Sequence, residues 1–129
     1  MNWEDIRDAF GETANRKYKR CNEYLVELEL CPETKTNEFR SGVVDARFAK
    51  FRASQLKTTR ILNTQTKKWV DEINHVWNDN MFKFEFPIVY KVGMIAYPSG
   101  FDTRLNDICA EGIHYFNTLL AAFAYTRFV

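Results

Sequence analysis

The run EYLVELELCP, residues 23–32, decides the fold. Tyr24, Val26, Leu28 and Leu30 fall on one parity and Glu23, Glu27 and Glu29 on the other, and a period of two sends each set to its own face of a strand. Apolar groups on one side and carboxylates on the other describe a half-buried strand, the arrangement typical of antiparallel sheets. Pro32 has no amide hydrogen to give to a ladder and ends the pattern.

Working outward, residues 2–20 carry Trp3, Ile6, Phe10 and Ala14 at three- and four-residue spacing. That spacing predicts a helix with Asn2 as N-cap and Asp5 at its third position, weakened in the middle by Gly11. Downstream, the polar connection PETKTNEFRSG leads to VVDARFAKFRA and LKTTRILN, whose β-branched residues favour two more strands. TQTKKWVDEINHVWND, residues 64–79, fits either a short helix or a strand and loop. In MFKFEFP, Phe82, Phe84 and Phe86 alternate with Lys83 and Glu85 until Pro87 stops or edges the strand. IVYKVGMIAY reads as a further strand broken at Gly93, Ile113–Phe116 as another, and a closing helix starts at Asn117 or Thr118. The expected fold is α+β, a mostly antiparallel sheet with an N-terminal and a C-terminal helix.

The chain has 129 residues, enough for one core without disulfide or metal staples. Eighteen basic residues nearly balance seventeen acidic ones, so no strong overall field draws the chain to nucleic acid or to an anionic membrane. The apolar runs are too short or too interrupted to span a bilayer, and the first ten residues are charged rather than signal-like, so an intracellular soluble protein is expected. Cys21, Cys31 and Cys109 form neither a CxxC pair nor an even set, which speaks against a disulfide framework and a structural zinc site. No metal and no cofactor are expected.

Three constellations bear on function. Cys109 lies five residues before His114, and a thiolate with an imidazole base is a nucleophilic pair when the two touch in space. The bland alternative is a buried thiol and a structural histidine with a polar partner. Second, Arg16, Lys17, Lys19 and Arg20, together with Arg47, Lys50, Arg52, Lys57, Arg60, Lys67 and Lys68, contain no acidic residue within either run. Such runs suit phosphate contacts, or are solvated strand and turn charges partly paired with Glu23, Glu27 and Glu29. Third, eleven Phe and three Trp are a surplus of rings; most are expected in the core, and an apolar stripe on a terminal helix is expected to dock a second copy.

The succession KYKRCNEYLVELELCPE, KFRASQLKTTRILN, VYKVGMI and CAEGIHYFNTLLAAFAY resembles an uncharacterised domain of giant DNA viruses of amoebae, mimivirus-like and marseillevirus-like, also found in some pentapeptide-repeat proteins. The resemblance runs from about Lys17 to Tyr125, so residues 1–16 are expected as an N-terminal helical extension and residues 17–129 as a single α+β domain. It implies signature positions at Tyr90, Lys91, Gly93, Cys109, Gly112, His114 and Phe116, besides Tyr18, Lys19, Cys21, Lys50, Arg52, Asp102, Ile113, Ala121 and Tyr125, and no activity. Arg20 and Phe51 depart from the pattern, Phe51 replacing a cysteine. GIHYF followed by AAFAY is also similar to the nicotinamide-holding segment of ADP-ribosyltransferase-like folds, where a transferase would use NAD, though no acidic residue is placed to complete such a set. The resulting expectation is a non-enzymatic viral structural or binding protein, a homodimer in the virion or the cytoplasmic virus factory. The alternatives are a nucleic-acid-binding accessory protein and an ADP-ribosyltransferase-like fold.

Overall fold

The computed structural model describes residues 1–11, 13–78, 85–98, 101, 103 and 112–125, with backbone alone for 76–78 and 85–87. Asp102, Cys109 and the alternation at Phe82 and Phe84 lie outside the described residues.

Helix α1 spans Trp3–Phe10. Asn2 Oδ1 accepts from the Asp5 amide at 2.8 Å while the Asp5 carboxylate accepts from the Asn2 amide at 3.4 Å, which satisfies two amides that the first turn leaves free. The helix does not run on to residue 20. Gly11 takes a left-handed conformation, φ 54°, and donates its amide to the Arg7 carbonyl, so the residue expected to weaken the helix ends it. Arg16–Cys21 is instead strand β1, paired in antiparallel register with β2, Tyr24–Glu29. Asn22 supplies the positive φ, 55°, that their two-residue loop needs.

Strands β3 (Lys50–Ala53), β4 (Leu56–Asn63) and β5 (Lys68–Val70) follow. The strand expected over residues 43–53 is short because the Asp45 carboxylate accepts from the Arg47 amide at 3.0 Å, a local turn that competes with a ladder. Among its described residues the ambiguous segment 64–79 contains no helix. Asn63 Oδ1 accepts from the Gln65 and Thr66 amides, Lys67 adopts φ 63°, and the chain reverses into β5 and then β6, Glu72–Asn78. Strand β7, Glu85–Lys91, pairs with β6 and passes through Pro87, tolerated because a two-stranded sheet has only edges. The break at Gly93 occurs as expected: Gly93, φ 86°, donates to the Thr58 carbonyl, and β8, Ile95–Ala96, returns beside β4.

Strand β9, Ile113–Phe116, and helix α2, Leu119–Ala124, complete the fold, with Thr118 as N-cap to the Ala121 amide. Among the described residues the main sheet has the order β3-β9-β1-β2-β4-β5 with β8 beside β4, and all pairs are antiparallel. The protein is α+β, a mainly antiparallel sheet with a helix at each end.

The sheet is buried on both faces. Ile6, Phe10, Tyr18, Leu25, Leu62, Phe116, Leu119 and Ala122 form the core under the two helices. Val26, Leu28, Phe51, Ile61, Ile73, Ile88, Tyr90, Ile113 and Tyr115 form the core under the β6–β7 hairpin. Burying Ile6 and Phe10 contributes about 2–3 kcal/mol each, so α1 is packed on the same sheet as residues 17–125. Its apolar stripe therefore lies in the chain's own core. Strand β2 is likewise not half-buried: Leu25, on the parity of the glutamates, is fully buried, and Glu27 is 3% exposed.

Candidate functional site

Strands β1 and β9 are neighbours, yet a single residue pair, Tyr18 with Phe116, aligns them. Beyond it they run apart, and Lys19 bridges the gap by donating its Nζ to the His114 carbonyl at 2.8 Å. A side-chain ammonium stands where the ladder would have placed an amide. The gap holds a cavity of about 40 Å³ lined by Lys19, Arg20, Lys50, His75, His114, Phe116 and Tyr125. That space is large enough to admit water.

Each wall has a local reason. The pairing of Lys50 with Phe116 and of Arg52 with His114 sets β3 and β9 side by side. Alternation puts Arg20, His114 and Phe116 on the helix face, whereas Lys19 shares its parity with Cys21 of the hairpin-side core, the side from which His75 of β6 comes. Arg20 Nη1 donates to the Phe123 carbonyl at 2.9 Å, at the electronegative end of α2, and its Nε donates to Asn22. Lys50 Nζ lies 5.6 Å from the centre of the Tyr125 ring, which packs on Phe116 at 5.2 Å. No carboxylate among the described residues lines the cavity. Three positive charges and two imidazoles thus converge on one space.

The other basic candidates are placed differently. Arg16 pairs with Glu29 and lies 3.9 Å from Glu27, Lys57 reaches Glu29 at 3.8 Å, and Lys17 reaches Glu38 at 3.5 Å. Arg47 pairs with Asp45 beside it, and that guanidinium holds the Asp45 carboxyl below the usual carboxylate range. The Arg60 pair has the most buried carboxylate, Glu27. Arg60 donates to both oxygens of Glu27, at 2.7 and 3.1 Å, and to the Phe10 carbonyl at 2.7 Å, and stacks near the rings of Phe10 and Trp69. Arg52 is fully buried with its guanidinium 5.0 Å from the Phe101 ring centre. Lys67 and Lys68 are exposed at the β4–β5 turn. The fold gathers Lys19, Arg20 and Lys50 and disperses the rest.

His114 is half-buried and faces the cavity, while its partner in the thiol–imidazole reading, Cys109, lies outside the described residues. Cys21 is no substitute: burial pushes its thiol up to about 11, so the nucleophilic thiolate is suppressed. Tyr115 points away from His114. Its hydroxyl donates to Glu38 at 2.8 Å, and burial beside that carboxylate raises its pKa. Asn117 donates its Nδ2 hydrogen to the same carboxylate at 2.9 Å while its Oδ1 accepts from Lys17 Nζ at 2.7 Å, closing a satisfied network on the hairpin side. Among the described residues an acid, Glu38, stands beside Tyr115.

Among the signature positions, Tyr90 is buried, Lys91 is exposed, and Gly93 is in the turn before β8. Gly112 has φ 146°, and a Cβ there would meet the Ala53 carbonyl, Arg52 and Phe101 at 3.2 Å, so glycine permits β9 to approach β3. Sequence reasoning passed over His75, in the ambiguous segment, and Glu38, whereas Glu27 is paired with basic residues as that reading allowed. Nothing local marks His75 as a neighbour of His114. The described residues contain no group of three or more metal-ligating side chains and no helix long and apolar enough to cross a membrane. No curated protein and no solved structure matches the chain. The model of one family, described only as a family of unknown function (DUF5758), matches residues 7–122, beginning inside α1 and ending inside α2, and it is to this family that the chain belongs.

Proposed function

We propose that the protein is a non-enzymatic binding factor that captures an anionic group of its ligand in the cavity between β1 and β9. One observation carries this reading: Lys19, Arg20, Lys50, His75 and His114 converge there from four strands with no carboxylate among the described lining residues. Convergent donors that are fixed before binding lower the cost of ordering them around an anion. The test is a titration of the full chain with sulfate and with inorganic phosphate, followed by amide resonances of Lys19, Arg20 and His114. Saturable shifts at these positions are expected, and their absence with both anions overturns the reading.

A second reading, a nucleic-acid-binding accessory protein, is favoured by the same three fixed cations. If they contact phosphates, the logarithm of duplex affinity falls against the logarithm of salt with a slope of about −2.7. A slope near zero removes it.

The setting we propose is the virion or cytoplasmic virus factory of a giant DNA virus, with pentapeptide-repeat proteins as further bearers of the domain. Its support is the resemblance of the YKVG and GIHYF motifs. We propose a homodimer as the working form, supported by the exposed apolar side chains of Phe39, Val44 and Phe48, 95%, 100% and 54% accessible. Light scattering on the protein and on Phe39→Ser with Val44→Ser tests this. A dimer that becomes monomeric on substitution is expected, and an unchanged mass takes the contact away from this segment.

A further inference from the structure

We infer that the outer edge of β5 is a site of self-association, where a second copy adds its own β5 in antiparallel pairing about a two-fold axis at Trp69. The inference goes beyond anion capture and is separate from the dimer contact proposed at residues 39–48. The two ends of the main sheet differ in how they are finished. At β3 the outward backbone groups are taken by the chain itself. The Lys50 carbonyl accepts from Arg40 Nη1 at 2.7 Å, and the Arg52 amide donates to Asn37 Oδ1 at 2.9 Å. The Arg52 carbonyl accepts from the Asn37 amide at 3.3 Å, and the Ser54 amide donates to the Lys35 carbonyl at 2.8 Å. An edge covered in this way does not take another strand. Strand β5, at the other end, has no such cover among the described residues.

The direction of the uncovered groups follows from the ladder. The Thr64 amide donates to the Glu23 carbonyl on the β2 side, and alternation then turns Ile61 and Asn63 towards β5. They pair with Val70 and Lys68, so the amide and carbonyl of Trp69, opposite Leu62, point away from β4. A second β5 placed about a two-fold axis here exchanges both groups with its own Trp69. The same symmetry sets Lys68 opposite Val70 of the other copy and brings Lys67 beside its Asp71, on each side of the axis.

Charge selects the occupant. The run KKWVDE, residues 67–72, carries two cations, an apolar pair and two acids in that order. Lys67, Lys68, Asp71 and Glu72 are all exposed, and none forms an ion pair with a described residue. Reversed against itself, the run meets opposite charge at both ends, as a two-fold contact requires. The indole adds apolar area: it packs on the Phe10 ring at 5.2 Å and is still 47% exposed. Strand β8, on the same side of β4, continues the edge with Met94 and Ile95 exposed. A ladder of three residues makes a weak contact, one that forms at high protein concentration.

The experiment uses the full chain carrying Phe39→Ser and Val44→Ser, so that the contact proposed at residues 39–48 does not enter the result. Its mass is followed by sedimentation equilibrium from about 10 μM to about 1 mM. A reversible rise towards the dimer is expected, with hydrogen exchange at the Trp69 amide slowing as concentration rises. Lys67→Glu with Lys68→Glu, and Asp71→Lys with Glu72→Lys, are each expected to weaken association about tenfold. An equal mixture of these two variants is expected to restore it, since each charge at the edge then faces its opposite. Unaltered amide spectra of the dilute variants establish that they fold. A mass that stays monomeric to about 1 mM overturns the inference. A mixture that associates no more tightly than either variant alone also overturns it, because the contact then lies elsewhere. Both results leave the reading at residues 39–48 standing, since that dimer is judged at low concentration by comparing the unsubstituted chain with Phe39→Ser and Val44→Ser.

Discussion

The cations around Glu27 and those around His114 come from the same stretches of sequence and reach opposite ends. Arg16 and Arg20 are four residues apart on β1, and Lys50 and Arg60 are ten apart across β3 and β4. Arg16 and Arg60 meet a carboxylate that is 3% exposed and accepts from Arg60 twice and from Thr59 Oγ1 at 2.7 Å. An extra residue in β4, opposite Glu27 and Leu28 of β2, lets Thr59 and Arg60 both turn to that carboxylate. Arg20 and Lys50 meet carbonyls and rings. The difference is the neighbouring strand: β2 brings glutamates to one edge of β1, whereas β9 brings none to the other. The first arrangement is a closed structural pair, and no carboxylate of the described residues lines the cavity beside the second.

The largest expected effect is at the platform beneath the closed pair. Phe10→Ala removes a ring lying 5.2 Å from Trp69 and 6.0 Å from Tyr18 and under Arg60, and is expected to cost about 4 kcal/mol in urea denaturation. A loss below about 1 kcal/mol would detach α1 from the core. Arg60→Ala comes next, at about 3 kcal/mol, because it leaves the buried Glu27 carboxylate without its main partner. If Arg60→Ala is no worse than a surface substitution, the two cation groups are equivalent and the contrast fails.

The third test is at the end of β1, where burial holds the Cys21 thiol up at about 11 from about 9. The folded state keeps the proton that the unfolded thiol gives up, so this stabilisation is complete below pH 9. It is lost as pH rises towards 11, at about 1.4 kcal/mol per pH unit. Tyr90 and Tyr115, also held protonated by burial, add a loss of the same sign above pH 10. Cys21→Ala should flatten the curve between pH 9 and 10, and a slope surviving that change assigns it to another group.

Smaller effects belong to the open group. Arg20→Gln is expected to cost about 1 kcal/mol, the loss of bonds to half-buried carbonyls rather than of an ion pair. A cost matching that of Arg60→Ala would make Arg20 structural. The smallest effect is at Tyr90, whose buried hydroxyl has no hydrogen-bond partner. Tyr90→Phe should leave stability unchanged or raise it by up to about 1 kcal/mol, and a clear loss would reveal a partner for that hydroxyl.

Much of the fold is legible because its signals are local. Asn2 with Asp5 marks the start of α1, the parity of Tyr24, Val26 and Leu28 marks β2, and Thr118 before Leu119 marks the start of α2. The helix expected through residue 20 failed because a periodic apolar pattern does not register a stop, and Gly11 in a left-handed conformation is a stop. The half-exposed reading of β2 failed because parity identifies faces without saying what covers them. Leu25, apolar on the parity of the glutamates, was the visible sign that the second face is covered too.

The sequence by itself determined the α+β class, the starts of both helices, the break at Gly93 and the parity of the strands, since each depends on residues within a few positions. Only the tertiary structure decided which charges meet a carboxylate and which line the cavity. Lys19 meets the His114 carbonyl across 95 positions, Tyr115 meets Glu38 across 77, and Arg60 meets Glu27 across 33. Those meetings follow from which strands lie side by side, and that order is set by the burial of two whole sheet faces rather than by the charged residues themselves.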